Sequence, residues 1–235
     1  MDNLLKDLPF ILWINLDESK DRYNYMTNLF QEYNIKNNYR ISAHNGIISN
    51  NFFIKNDKFN IKDGEYGCTC SHLKALEYYV NNLSHHPYII IAEDDLSFDY
   101  LRYWKKSWNE YLNEMSSNFD LLMLTLNTPL LNEEIYNQIK FQKWIPKMYS
   151  TVCYMISLKS AKKILNLIPK IDNKYDFSIF KDRNYMLADS LLYYNLDKVY
   201  NYPLFTYNCS ESIVNNERLK AHKHRKYLLE KLWKL

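Results

Sequence analysis

Residues 10–16, FILWINL, form an unbroken apolar run, and the stretch that follows, DESKDRYNYMTNLFQEYN (17–34), places Tyr23, Met26, Leu29 and Phe30 on one helical face. An unbroken run of this length is what a strand covered on both faces looks like, whereas the 3.6-residue period belongs to a helix laid against it. The couplet recurs. The pattern predicts a helix from Tyr66 to Asn82 carrying His72, Leu73, Leu76 and Tyr79, then a strand over YIIIA (88–92). LRYWKKSWNEYLNEM (101–115) reads as a helix, FDLLMLTL (119–126) and VCYMISL (152–158) as strands, and SAKKILNLI (160–168) as a helix. Residues 39–63 read as irregular and polar. Strands alternating with helices predict an α/β fold with a mostly parallel sheet covered on both faces. No repeat or linker divides it, so residues 1–235 read as a single domain.

With 235 residues, 47% hydrophobic and 24% charged, the chain is large enough for such a core and too apolar for disorder. The net charge of +3 is too small to point to nucleic acid. The 22 tyrosines read as compositional drift rather than an array for stacking sugars. No stretch reaches the ~18 apolar residues of a membrane span. The first residues carry Asp2 and Asp7 with no small-residue cleavage site, which reads as a cytoplasmic protein without a signal peptide. Cys68, Cys70, Cys153 and Cys209 do not form a disulfide framework, and Cys68–Cys70 has no matching second pair, so all four read as free core thiols.

In open α/β sheets ligands lie beyond the carboxyl ends of the strands. Asp17 follows the first strand, and Glu93, Asp94 and Asp95 close the run YIIIAEDDLSF (88–98). Two unit charges 4 Å apart repel by ~4 kcal/mol at an effective dielectric of 20. Strand alternation puts Glu93 and Asp95 on one side and Asp94 on the other. Such a pair suits magnesium or manganese. Equally, the acids could cap a helix starting near Tyr100.

Five stretches, INLDESKDR (14–22), RISAHNGI (40–47), GEYGCTCSHLKAL (64–76), YIIIAEDDLSF (88–98) and YMISLKSAKKIL (154–165), occur in the order and spacing of glycosyltransferase family 25. That family includes lipooligosaccharide galactosyltransferases and collagen hydroxylysine galactosyltransferases. LADSLLYY (187–194) resembles its aspartate segment and SESI (210–213) its Ser-Asp-Ile motif. The resemblance implies a GT-A-like, Rossmann-like fold, a UDP-sugar donor, a manganese or magnesium cofactor and inversion at the anomeric carbon. It implies a nucleotide-sugar half over about 9–100, an acceptor-side half over about 101–215, and metal ligation by Glu93 and Asp95. Donor contacts would come from Asn15, Asp17, Arg22, Ala43, Asn45, Gly46, His72 and Asp94. Arg22 could instead form a surface ion pair, and His72 could be a structural histidine. Gly46 is expected to take a positive φ. The family commonly has aspartate at Asn45 and at Glu211, and Ser210 and Glu211 belong to the SESI segment.

A single inverting displacement needs a base for the acceptor hydroxyl. Asp189 stands in the acceptor-side segment, although it could also cap a following helix. The acceptor would be a glycan, a lipid-linked glycan or a hydroxylysine-containing protein. The basic tail at 216–235 reads as a packed closing helix, a contact for an anionic membrane surface, or a source of His222 or His224 for the diphosphate. Other readings are a degenerate sugar-nucleotide-binding or scaffold protein, and a metal-dependent phosphotransferase or nuclease.

Overall fold

Every residue of strand β1 (Ile11–Asn15) is buried, which requires a place inside a sheet covered on both faces. The computed structural model describes residues 4–115, 118–132, 136–208 and 216–235. After β1 come α1 (Lys20–Glu32), β2 (Asn38–Ser42), β3 (Phe53–Ile54), α2 (Asp63–Asn82), β4 (Tyr88–Glu93) and β5 (Leu96–Ser97). Next are α3 (Trp108–Glu114), β6 (Leu121–Met123), β7 (Gln142–Lys143), β8 (Cys153–Ser157) and α4 (Leu158–Leu167). The chain continues through β9 (Lys170–Ile171), β10 (Lys174–Asp176), α5 (Ala188–Tyr194), β11 (Val199–Asn201), β12 (Thr206–Tyr207) and α6 (Asn216–Trp233).

Seven strands form the central sheet in the order β2-β1-β4-β8-β6-β11-β7. β1 runs parallel to β2 and β4, and β6 parallel to β11, while β8 and β7 run against their neighbours. The expected mostly parallel α/β sheet is therefore present, with two reversed strands. The reversal matters for the site. β1 and β4 bring their carboxyl ends, Asn15 and Glu93, to one edge, and β8 starts at that same edge because it points the other way. Cys153 pairs with Ala92, and the Glu93 N–H donates to the Val152 carbonyl at 2.8 Å.

α2 is the helix that anchors the site. It packs on α4 and α5 and across β1, β2 and β4, burying Leu73, Ala75, Leu76 and Tyr79. The Glu65 carboxylate accepts the Lys62 N–H at 2.8 Å and fixes its start. α1 lays Met26, Leu29 and Phe30 on the core and stops where Asn34 takes a left-handed φ of 53°.

Three expectations change. The 39–63 stretch is not wholly irregular, because NYRIS forms β2, whose only fully buried residue is Ile41. The single helix over 101–115 is two pieces, a 3-10 turn at Asp99–Tyr103 and then α3. Ser107 restarts the helix by accepting the Glu110 N–H while the Glu110 carboxylate accepts the Ser107 N–H at 2.7 Å. The three acids cap neither piece, since β5 intervenes.

Candidate active site

A cleft of about 900 Å³ opens at the carboxyl edge of β1 and β4 and is lined by Asn15, Arg22, Ala43, Asn45, Gly46, Cys68, His72, Glu93 and Asp94, among others. Asn15 is its hub. Its amide donates to Asp94 Oδ2 at 2.8 Å, and its oxygen accepts from Arg40 Nε at 2.9 Å. Arg22 donates to the other Asp94 oxygen at 2.8 Å. Arg22 thus makes an ion pair within the cleft wall, and Asp94 has both oxygens engaged there.

Glu93 turns the other way. Thr151 Oγ1 donates to its Oε1 at 2.5 Å, and His72 Nε2 lies 3.3 Å from the same oxygen. Burial opposes its charge, but the hydrogen bonds and charge of His72, the Thr151 hydroxyl and the Arg22 guanidinium outweigh it and hold the carboxyl below the usual range. Asp95 has the opposite balance. Burial, then the charges of Glu93 and Asp94, push its carboxyl up. Among the described residues, its buried Oδ1 has no hydrogen-bond partner. A buried acceptor without a partner costs about 1–3 kcal/mol. Next to a second carboxylate, that oxygen is a place a cation would satisfy.

Asp17 does not line the cleft as its neighbours Leu16 and Glu18 do; it is exposed, with its carboxylate taken by Arg40 and by Ser42 at 2.8 Å. These hydrogen bonds, Arg40's first, hold it below the ordinary carboxylate range. Asn45 closes a turn by accepting the Ile47 N–H at 3.1 Å, and its amide donates to Glu18. An aspartate at this position would set two acids against each other. Ala43 hangs on β1 through its N–H to the Asn15 carbonyl at 2.9 Å.

Gly46 does not have a positive φ. Its side chain is missing for another reason: a Cβ there would lie 3.0 Å from the Gly67 N and would collide with the Asp63 carbonyl. The loop backbone lies directly on α2. Cys68 also departs from expectation, since it is exposed into the cleft whereas Cys70 and Cys153 are buried; Cys209 lies outside the described residues. Desolvation and the charges of Glu93, Asp189 and Asp95 keep the Cys68 thiol protonated.

Asp189 sits in the first turn of α5, where Leu187 is the capping position. Its Oδ1 accepts the Ser190 N–H at 2.7 Å. Burial raises its carboxyl, and the charge of Glu93 adds to the effect, although Asp189 is not among the residues lining the cleft. His222 lies against Asn127 at 3.0 Å beyond the end of β6, and its ring meets Tyr207 of β12, which pairs with Leu96 of β5. His224 is exposed on α6. That helix packs onto the body through Leu229 and Trp233, with Trp233 donating to the Pro203 carbonyl at 3.2 Å. Ser210 and Glu211 lie outside the described residues.

Sequence reading passed over Arg40, Thr151 and Tyr154, and took Cys68 for a core thiol rather than a residue of the cleft. Cys68 was accessible to it, because four residues before His72 is the same helical face. Thr151 was not, because only the reversal of β8 brings it beside Glu93.

The family model described as Glycosyltransferase family 25 (LPS biosynthesis protein) matches residues 9–179. The chain belongs to that family, and is a glycosyltransferase that takes a sugar donor and a glycan acceptor in general. Its fold is also similar to a solved glycosyltransferase involved in the glycosylation of the major capsid of PBCV-1, at 10% identity over 92% of this chain and 98% of that one, with a TM-score of 0.49. A comparison with curated proteins gave no match. No helix among the described residues is long and apolar enough to cross a membrane.

Proposed function

We propose that this enzyme is a metal-dependent, inverting transferase that moves a hexose from a UDP-sugar to a hydroxyl of a glycan, a lipid-linked glycan or a hydroxylysine-type acceptor. Galactose is the first donor to test, then glucose and N-acetylglucosamine. The observation that carries the reading is the buried, unpartnered Asp95 oxygen two residues beyond Glu93, whose own side chain lines the cleft. Both residues offer the oxygen ligands that manganese or magnesium takes. A cation held there would neutralise charge gathering on the departing diphosphate.

The chain's own groups do the rest. Thr151 and His72 hold Glu93 in its charged form. Asn15, Arg22 and Asp94 form a rigid wall for the nucleoside end, with Ala43, Asn45 and Gly46 as the opposing lip. Asp17 supports that wall through Arg40, which also reaches Asn15. Asp189 takes the acceptor proton with the oxygen that Ser190 does not engage. The new sugar–oxygen bond then forms as the sugar–phosphate bond breaks, UDP leaves, and the anomeric configuration inverts.

The test needs no acceptor. A panel of UDP-sugars is incubated with the enzyme, and slow UDP release is read with manganese or with chelator. Release of UDP from one donor only with metal supports the reading. Release that is unaffected by chelator removes the metal from it, and binding without any release favours a degenerate sugar-nucleotide-binding protein.

A further inference from the structure

Cys68 and His72 stand four residues apart on α2, the spacing that puts two side chains on one helical face. Facing them, Glu93 ends β4. The Cys68 sulfur, a His72 ring nitrogen and a Glu93 oxygen all lie within 4.8 Å of one another. All three residues line the cleft, Cys68 exposed to it and His72 buried at 3% exposure. Two hydroxyls stand behind them: Tyr154, fully buried, lies 3.1 Å from His72 Nδ1, and Thr151 donates to Glu93 at 2.5 Å.

We infer that Cys68, His72 and Glu93 form a site for one thiophilic divalent cation, of which zinc is the type, distinct in its ligands from the Glu93–Asp95 pair. Thiolate, imidazole and carboxylate are zinc's preferred donors, whereas manganese and magnesium favour oxygen. Three protein ligands leave a fourth position open to the cleft. With the cation bound, the His72 proton would sit on Nδ1 and be donated to the Tyr154 hydroxyl 3.1 Å away, leaving Nε2 as the ligand, and the Thr151 hydroxyl orients the carboxylate. Supporting bonds of this kind are what fix a metal site. On binding, the Cys68 thiol releases its proton to solvent and its sulfur joins the cation, with no change of oxidation state. Both sites draw on Glu93, so zinc would compete with the hard cation for its carboxylate and, where zinc wins, exclude the sugar nucleotide. This exclusion, though not the site itself, rests on the function proposed above.

The full chain, stripped with chelator, is titrated with Co²⁺, whose bond to a thiolate gives an intense sulfur-to-cobalt band in the near ultraviolet. The band is expected in the parent and in Asp95→Asn, and not in Cys68→Ser, a near-isosteric change at an exposed position. Zinc affinity, read by competition with a chromogenic chelator, should fall about 10-fold or more in Cys68→Ser and stay within about threefold in Asp95→Asn. Absence of the band in the parent, its persistence in Cys68→Ser, or equal zinc affinity in that variant would overturn the site. A sulfur band, together with no UDP release from any UDP-sugar when the cobalt-free chain is assayed with manganese, would support the site while removing the function proposed above.

Discussion

Burial and the charge of Glu93 hold the Asp189 carboxyl above its ordinary range, so its proton-accepting form develops at a higher pH than in a free aspartate. The acid limb of the transfer rate should therefore lie above the usual carboxylate range and vanish in Asp189→Asn. That variant should lose ~10²–10⁴ in kcat while donor affinity holds, because a base acts only as the acceptor attacks. Transfer close to the parent rate would remove Asp189 from the mechanism. Stability should move the other way. Unfolded aspartate ionises at about 3.9, and the folded group keeps its proton to higher pH. The folded state therefore binds more protons in that window, and stability falls as pH rises through it. At neutral pH, Asp189→Asn should melt at or above the parent temperature by calorimetry. Asp95 has a comparable conflict, which a cation bound there would relieve. With manganese at about 100 times its Kd, the parent should gain about 2.7 kcal/mol, or about 5–10 °C in Tm, and Asp95→Asn should gain far less. An equal manganese shift in both proteins would separate Asp95 from the metal.

At the scale of the element, α2 carries the loop that forms the lip of the cleft. A Cβ on Gly67 would stand 2.5 Å from the Gly46 N and 2.7 Å from the His44 carbonyl, both backbone atoms that cannot swing aside. Glycine to alanine inside a helix ordinarily stabilises by about 1 kcal/mol. Here Gly67→Ala should instead destabilise by about 1–3 kcal/mol and weaken donor binding, as denaturant titration and calorimetry would show. Gly64→Ala is the contrast, since its Cβ would meet only the Ile47 side chain at 3.7 Å, and it should leave stability near the parent. If both variants behave alike, the loop does not rest on the helix as described. These two glycines show where the sequence was legible and where it was not. Unbroken apolar runs and helical periods located β1, α1, α2, β4, β8 and α4 because burial on both faces leaves a local trace. β2 was hidden, since an edge strand with only Ile41 fully buried alternates too weakly. The break before α3 was hidden as well, because Ser107 and Glu110 sit inside a stretch that is otherwise helical in pattern.

For the whole molecule, five strands point one way while β8 and β7 run back, and the reversal of β8 assembles the acid site from distant segments. Ordered motifs picked out Asn15, Arg22, Asn45, Gly46, His72 and Glu93, and the fold brings all of these to one cleft. It could not be read from the sequence that Asn15 would be a hub rather than a free contact, or that Thr151 would hold Glu93, because those bonds cross between strands. α6 closes the molecule with its apolar residues Leu229 and Trp233 turned inward. Its basic residues Lys220, Lys223 and Lys231 are exposed. The central claim is that the cleft binds a sugar nucleotide through a cation held by Glu93 and Asp95. Calorimetry of UDP-galactose, UDP-glucose and UDP-N-acetylglucosamine tests it most directly, run with manganese and with chelator on the parent and Asp95→Asn. Binding of at least one donor by the parent with manganese, lost in chelator and in the variant, is the predicted result. Equal donor affinity in chelator, or in Asp95→Asn, would contradict it.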